Sequence, residues 1–532
     1  MRNTTYATRG MAVAPHSLAA QAALSVLNRD GGNAIEAMVA AAAAIAVVYP
    51  HMNGIGGDGF WVISEPGQPV RAIEACGMAG AAVTRDLYLG RDLQQIPVRG
   101  PLAANTVAGT ISGWERALTL SAAWGGRLPL SRLLEDAIHY AENGVPVTPS
   151  QSMATAAKLD ELFVQPGFTD TFLVDGKAPQ AGSLFTQRRL GSTLRQLASA
   201  GLDSFYRGDL ADMISADLAR VGSPITAADL AGYRATVTEP VQLQHSLADI
   251  YNCAPPTQGV VSLIILALLD RLALHRYRED SLEYVHLVVE ATKQAFLIRD
   301  RYVCDPLHMA VPAQELLSDA FLAPYAAAIS LDRALPWGGG RGPADTVWMG
   351  VIDGEGRAVS FIQSIYHEFG SGVVLPESGI NWQNRGCSFS LDPGHINTLR
   401  PGKKPFHTLN PALARFHDGR TMVYGTMGGD GQPQTQAAVF TRYAVFGQGL
   451  QQAVTAPRWL LGRTWGQASE SLKLESRFAP DIVAGLRALG HDVDVVADFD
   501  EMVGHAGAIV RSPQGVFEGA SDPRSNGIAA GF

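Results

Sequence analysis

Thr346 stands where two unlike stretches of chain meet. Ahead of it, residues 336–343 (PWGGGRGP) are rich in Pro and Gly; after it, Val347, Trp348, Met349, Val351 and Ile352 form an apolar run with β-branched and aromatic side chains. Asp353-Gly354 reads as a reversal into a second such run over residues 358–365. The spacing predicts a hairpin whose first strand opens on a threonine directly after a loose, cuttable loop. A hydroxyl so placed is a candidate nucleophile. The plainer reading of the same pattern is a Gly-rich surface loop before an ordinary hairpin, with Thr chosen as a strand former. The chain carries no HExxH, P-loop or GxSxG motif. Residues 54–59, GIGGDG, match GxGxxG, but Phe60, Trp61, Val62 and Ile63 behind them predict a strand where a dinucleotide site needs a helix N-terminus. These glycines read instead as a tight turn with close backbone approach. Cys76, Cys253, Cys304 and Cys387 are too widely spaced for a CxxC pair, and each is expected to be a buried, small, apolar residue.

Positioning a reactive threonine needs a large packed scaffold, and the composition supplies one. The 532 residues are 47% hydrophobic and 17% charged, which fits two domains or one large α/β unit equally well. A net charge of -9 argues against a general nucleic-acid or anionic-membrane binder. The first residues lack the unbroken apolar core of a signal peptide. The apolar run at 37–49 is too short and Ala-rich to span a bilayer, so a buried helix and a cytoplasmic location are expected. Helical periodicity marks residues 131–143, ended by Gly144 and Pro146, and residues 281–302. Further helices are expected from Val260 onward and from Pro480 to Gly490. Val241 and Leu243 suggest a strand, and strand signals thicken after Thr346. The only linker-like composition is residues 335–344, where the chain is expected to be interrupted.

Six stretches together resemble the gamma-glutamyltransferase family of N-terminal nucleophile (Ntn) hydrolases. They are GGNAIEAMVAAAAAIAVVYPHMNGIGGDGF, TVWMGVID, FGSGVVLPESGINWQN, KKPFHTLNPALA, YGTMGGDGQPQTQ and ASDPRSNG, in that order. The resemblance implies an α/β, four-layer αββα sandwich made as a precursor and cut at the Asp345-Thr346 bond. A large fragment 1–345 and a small fragment 346–532 would then form one unit, with such pairs expected to dimerise. Cutting gives Thr346 an α-amino group with an unperturbed pKa of about 7.7 to 8.0, a base for its own hydroxyl. Before cutting, that hydroxyl could attack the Asp345 carbonyl, with the loop glycines Gly338, Gly339, Gly340 and Gly342 giving the freedom to reach it. No metal or organic cofactor is implied, because nucleophile and base both come from the polypeptide.

The same resemblance assigns Ser364 to contact the nucleophile's amine and Gly428-Gly429 to form the oxyanion hole, worth about 3 to 4 kcal/mol per donor. Family members that act on γ-glutamyl donors hold the α-carboxylate with an Arg and the α-amine with an Asp. Here Cys76, in IEACGMAG, and Cys387, in RGCSFS, fill those places. Each lost charge-assisted bond costs about 1.5 to 3 kcal/mol, so a γ-glutamyl donor should be weakened by a few powers of ten. His407-Thr408 replaces the family's serine pair and Tyr366 replaces an Asn, which favours a small acyl group. SIYHEFGSG, RPGKKPFHTLNPAL and MGGDGQPQTQ most resemble the members that hydrolyse oxamate to oxalate and ammonia in purine-derived nitrogen recycling. Arg385, His407, Thr408 and Tyr366 are the candidates to clamp a small carboxylate, with Arg99 a further one. Arg385 also reads as a solvated loop charge and His407 as a satisfied core histidine. A gamma-glutamyl hydrolase or transferase, an acylase, and an unprocessed binding protein remain the alternatives.

Overall fold

The computed structural model describes residues 2–338, 345–462 and 469–532. Among them, the alternating apolar runs form two seven-stranded sheets whose neighbouring strands are all antiparallel. The first runs, in spatial order, Thr5–Ala7, Phe517–Ser521, Gly507–Arg511, Thr421–Gly425, Ala412–Phe416, Ala248–Asn252, Val241–His245. The second runs Ile528–Gly531, Met11–Ala14, Asp345–Ile352, Ala358–Tyr366, Asp58–Ser64, Arg71–Ala75, Thr236–Thr238. Strands from before and after residue 345 share both sheets.

Side-chain alternation explains the layering. Phe60, Val62, Trp348 and Ile352 point into a middle core with Leu413, Val423 and Ile509 of the first sheet. Trp61, Ile63, Val347, Met349 and Val351 point the other way, against the helices Ser17–Asn28 and Ala34–Val48. The outer face of the first sheet is covered by Gly259–Arg271, Leu282–Tyr302 and Gly431–Phe440. The result is the αββα sandwich.

Residues 37–48 lie in Ala34–Val48, whose every residue is buried, and Tyr49 caps its C-terminus. Its alanines allow close approach, and a capping box starts it: Asn33 Oδ1 accepts from Ile35 and Glu36 while Glu36 Oε2 accepts from the Asn33 amide. Asp353 Oδ2 accepts from the Ala34 amide at 3.1 Å, tying the hairpin turn to this helix. Among the described residues, no helix is long and apolar enough to cross a membrane.

Two expectations shift in detail, and a third is not tested. The helix expected over 131–143 is two, Leu130–Leu133 and Glu135–Asn143, because Leu134 at ψ -1° breaks the turn between them. The hairpin reverses over 353–357, and Gly356 rather than Gly354 takes the positive φ of 82°. Residues 339–344, with Gly339, Gly340 and Gly342 of the expected linker, lie outside the described residues.

The described chain just before that linker is anchored by a polar cluster. His286 Nε2 donates to the Ser330 carbonyl at 2.7 Å, which makes His286 Nδ1 an acceptor for His491 Nε2 at 2.8 Å. His491 Nδ1 then accepts from Lys293, which also donates to Glu290 and to the Leu335 carbonyl. Glu290 Oε2 accepts from the Leu335 amide. The ligand atoms of His286, Glu290 and His491 lie within 4.8 Å of one another, and these hydrogen bonds engage them. Burial lowers His491 from 6.5 to about 3, so its neutral form stabilises the fold fully above pH 6.5 and that stability is lost as pH falls toward 3. His491→Gln should therefore destabilise the protein at pH 7.5 by about 1 to 3 kcal/mol, with the deficit relative to the parent shrinking toward pH 5. Urea midpoints of both proteins at pH 7.5, 6 and 5 check this; a gap that widens in acid would count against it.

Candidate active site

The register of the central hairpin singles out Thr346. Asp345 pairs with Tyr366 and Val347 with Gln363, so Thr346 faces two residues, Ser364 and Ile365, across a bulge. Bulges re-aim side chains and recur beside reactive sites. Thr346 and Ser364 are both buried, and Ser364 pairs on its other side with Asp58. Gly56 and Gly57 let this strand in: an added Cβ would lie 2.2 Å from the Asn381 carbonyl oxygen and 2.1 Å from that of Ser364 respectively. The GxGxxG run is the close-packed turn expected of it.

Past the bulge the chain is held in an unusual shape. Ser364 Oγ accepts from the Tyr366 amide at 2.8 Å, and Tyr366 sits at φ 83°, a conformation costing a bulky residue about 1 to 3 kcal/mol. Its ring covers Arg385, whose guanidinium carbon lies 3.7 Å from the ring centroid. Asn384 fixes the spacing: its amide donates to Ile365, its Oδ1 accepts from His367 and its Nδ2 donates to Val98. Arg385 is 1% exposed, and its Nε, Nη1 and Nη2 have no hydrogen-bond partner among the described residues. It is not a solvated loop charge.

His407 is likewise buried and unsatisfied: both ring nitrogens lack a hydrogen bond among the described residues. Its ring meets Phe60 edge-on at 5.0 Å and its Nε2 lies 3.5 Å from Asp58 Oδ2. Thr408 Oγ1 beside it is buried without a partner as well. Burial, with Arg385 and Lys404 nearby, pushes His407 well below 6.5 and keeps it neutral. Asp58 was not among the sequence candidates. Its Oδ1 accepts from the amides of Gly77 and Gly109, and burial pushes its carboxyl up to about 7 against the pull of the Gly77 amide and of Arg385. The available signal was an acidic residue inside a glycine turn directly before an all-apolar strand.

Gly428 and Gly429 take φ 114° and 52° just before the helix Gly431–Phe440. Their amides donate no hydrogen bond among the described residues and stand at the positive end of that helix. A buried network holds the turn. Gln258 Nε2 donates to the Thr408 carbonyl at 3.0 Å and to the Gly429 carbonyl at 2.8 Å, while Arg299 reaches Gln258 Oε1 and pairs with Asp430 at 2.8 Å. Gln258, Arg299 and Asp430 were missed in the sequence because they act through backbone carbonyls and through each other, across 172 residues. Arg99 is committed elsewhere, to Glu161 and the carbonyls of Glu368 and Gly370, so it pins a loop. A cleft of about 430 Å³ reaches Tyr366, Cys387, Ser388 and Phe406 from outside. A larger hollow of about 980 Å³, around Gln242 and Asp270, contains none of these residues.

The gamma-glutamyltranspeptidase family model matches residues 19–532. The chain belongs to that family. It is 62% identical over 534 residues to the oxamate amidohydrolase proenzyme of Klebsiella pneumoniae subsp. pneumoniae, covering 100% of both chains. To the glutathione hydrolase-like YwrD proenzyme of Bacillus subtilis it is 41% identical over 533 residues, again covering 100% of both. A cephalosporin acylase structure from Bacillus halodurans superposes at TM-score 0.91 with 36% identity, over 100% of this chain and 97% of that one. The sandwich is thus the Ntn-hydrolase fold of the gamma-glutamyltranspeptidase family. In this family member Cys76 is buried and Cys387 partly so, and burial pushes the Cys387 thiol up to about 12.

Breaking a buried ion pair from one side strands its partner. Arg299→Met should lower unfolding stability by about 3 to 5 kcal/mol, read by thermal or urea unfolding. A loss below about 1 kcal/mol would mean the pair does not hold the Gly428-Gly429 turn.

Proposed function

We propose that this gamma-glutamyltranspeptidase-family enzyme, an amidohydrolase acting on an amide C–N bond, hydrolyses oxamate to oxalate and ammonia through an ester on Thr346. The observation that carries the reading is Arg385, a buried guanidinium whose three nitrogens have no hydrogen-bond partner among the described residues, which suits a small carboxylate. The 62% identity to a relative named for oxamate supports the same substrate. Thiols at Cys76 and Cys387, where γ-glutamyl enzymes use an Arg and an Asp, weigh against a larger amino-acid donor.

The steps balance with water as the co-reactant, one molecule consumed in the hydrolytic scission and one in each turnover. Scission of the Asp345-Thr346 bond yields fragments 1–345 and 346–532, which stay together because both sheets are built from both fragments. The new Thr346 amine takes the hydroxyl proton, with Ser364 beside it orienting the amine, and Oγ1 attacks the oxamate amide carbon. Arg385, under Tyr366, holds the carboxylate; His407 and Thr408 line the same acyl pocket. The amides of Gly428 and Gly429 receive the developing oxyanion. The C–N bond breaks, the amine's proton leaves on ammonia, and water then opens the oxalyl ester, releasing oxalate and restoring the hydroxyl.

Thr346→Ala should remain one uncut, inactive chain on a denaturing gel; a cut or active variant would remove Thr346 from both roles. Purified, fragmented protein should release ammonia from oxamate faster than it turns over a γ-glutamyl anilide, and the reverse order would sink the oxamate reading. Arg385→Leu should raise KM for oxamate about 10- to 100-fold, measured by ammonia release; an unchanged KM would place the carboxylate elsewhere.

A further inference from the structure

This inference rests on the carboxylate site just described. Asp58 is buried within electrostatic reach of Arg385 and beside His407, whose Nε2 is 3.5 Å from Asp58 Oδ2. Asp58 Oδ1 is used by two backbone amides and the Gln383 side chain lies close enough to favour the carboxylate, but Oδ2 makes no hydrogen bond of good geometry among the described residues, although the residue is 0% exposed. The titratable and charged groups facing it are Arg385, His407, Cys76, Tyr206 and Tyr233. Burial raises Cys76, Tyr206 and Tyr233 and lowers His407, so all four are neutral near pH 7. Lys404, which acts on His407 and Cys76, is paired with Glu74, and the Thr346 amine freed by scission is a further titratable group, so near pH 7 the balance beside Asp58 turns mainly on the cation of Arg385 and on what Asp58 carries.

A substrate carboxylate adds a second anion. With Asp58 ionised, one buried cation would face two buried anions, leaving an uncompensated charge out of water. With a proton on Asp58 the charges close, and Oδ2 gains a hydrogen to share with His407 or the incoming anion. We propose that Asp58 is a specificity-determining residue of the acyl pocket, taking up one proton from solvent as a substrate carboxylate settles on Arg385. No bond to Asp58 other than O–H forms or breaks, and the proton returns to solvent when the dianionic product leaves. The position of Asp58 near pH 7 makes this uptake visible in an ordinary pH range. Binding needs the protonated form, so affinity is full below about pH 7 and falls as pH rises.

The test is the pH profile of KM, separated from that of kcat, on the processed enzyme. KM for oxamate should climb about tenfold per pH unit above roughly pH 7, and Asp58→Asn, which cannot ionise, should hold a flat KM from pH 6 to 9. Wild-type enzyme gives a second reading that needs no variant to fold: the Ki of oxamide, the uncharged analogue, should stay flat where the KM of oxamate climbs. A flat oxamate KM, an oxamide Ki that climbs in step with it, or an Asp58→Asn enzyme that keeps the rise would each overturn the proposal while leaving the oxamate reading intact. Fragmented enzyme that hydrolyses no oxamate at any pH would instead defeat the substrate reading, and the role of Asp58 with it.

Discussion

A guanidinium kept from water with none of its nitrogens hydrogen-bonded among the described residues is costly, and the surroundings of Arg385 make sense around that cost. An unpaired buried charge costs several kcal/mol. The face of Tyr366 returns about 2 kcal/mol at best, part of which is spent on the left-handed backbone that puts the ring there. Asp58 contributes attraction without a hydrogen bond to the guanidinium. That remaining deficit is what the proposed small carboxylate would relieve and a neutral acyl chain would not.

Holding such a deficit requires a scaffold that cannot relax into it. The hairpin carrying Thr346 and Ser364 lies in the middle of the second sheet, packed on the middle core through Trp348 and on the helical layer through Val347 and Met349. The loops carrying Arg385, His407 and Gly428-Gly429 are not regular structure, yet each is tied down: Asn384 holds the first to the hairpin, Gln258 joins the other two, and the Arg299–Asp430 pair secures Gln258 and the glycine turn from behind. Both fragments implied by scission at residue 345 would contribute to this frame, since Asp58, Gln258 and Arg299 precede the bond and the other site residues follow it.

The amino-acid sequence alone determined a good deal. The continuous apolar runs after Thr346 and in Phe60 to Ile63, the helical runs expected at 281–302 and after Val260, and the Ala-rich stretch before Pro50 all specify local structure through short-range sterics and burial, and they form strands and helices as expected. Thr346 stood out as a candidate because a strand-opening threonine after a Gly-rich run is a local pattern, and Arg385, His407 and Tyr366 as candidates because family motifs surround them. The sequence could not say whether Arg385 was solvated or His407 satisfied, since burial is set by segments hundreds of residues away. Asp58 and Gln258 were invisible for the same reason. An aspartate in a glycine turn is ordinary until folding places it 3.5 Å from a neutral histidine and takes away its water. Local pattern singled out the candidate residues; only long-range packing decided which of their polar groups lose solvent without gaining a partner among the described residues.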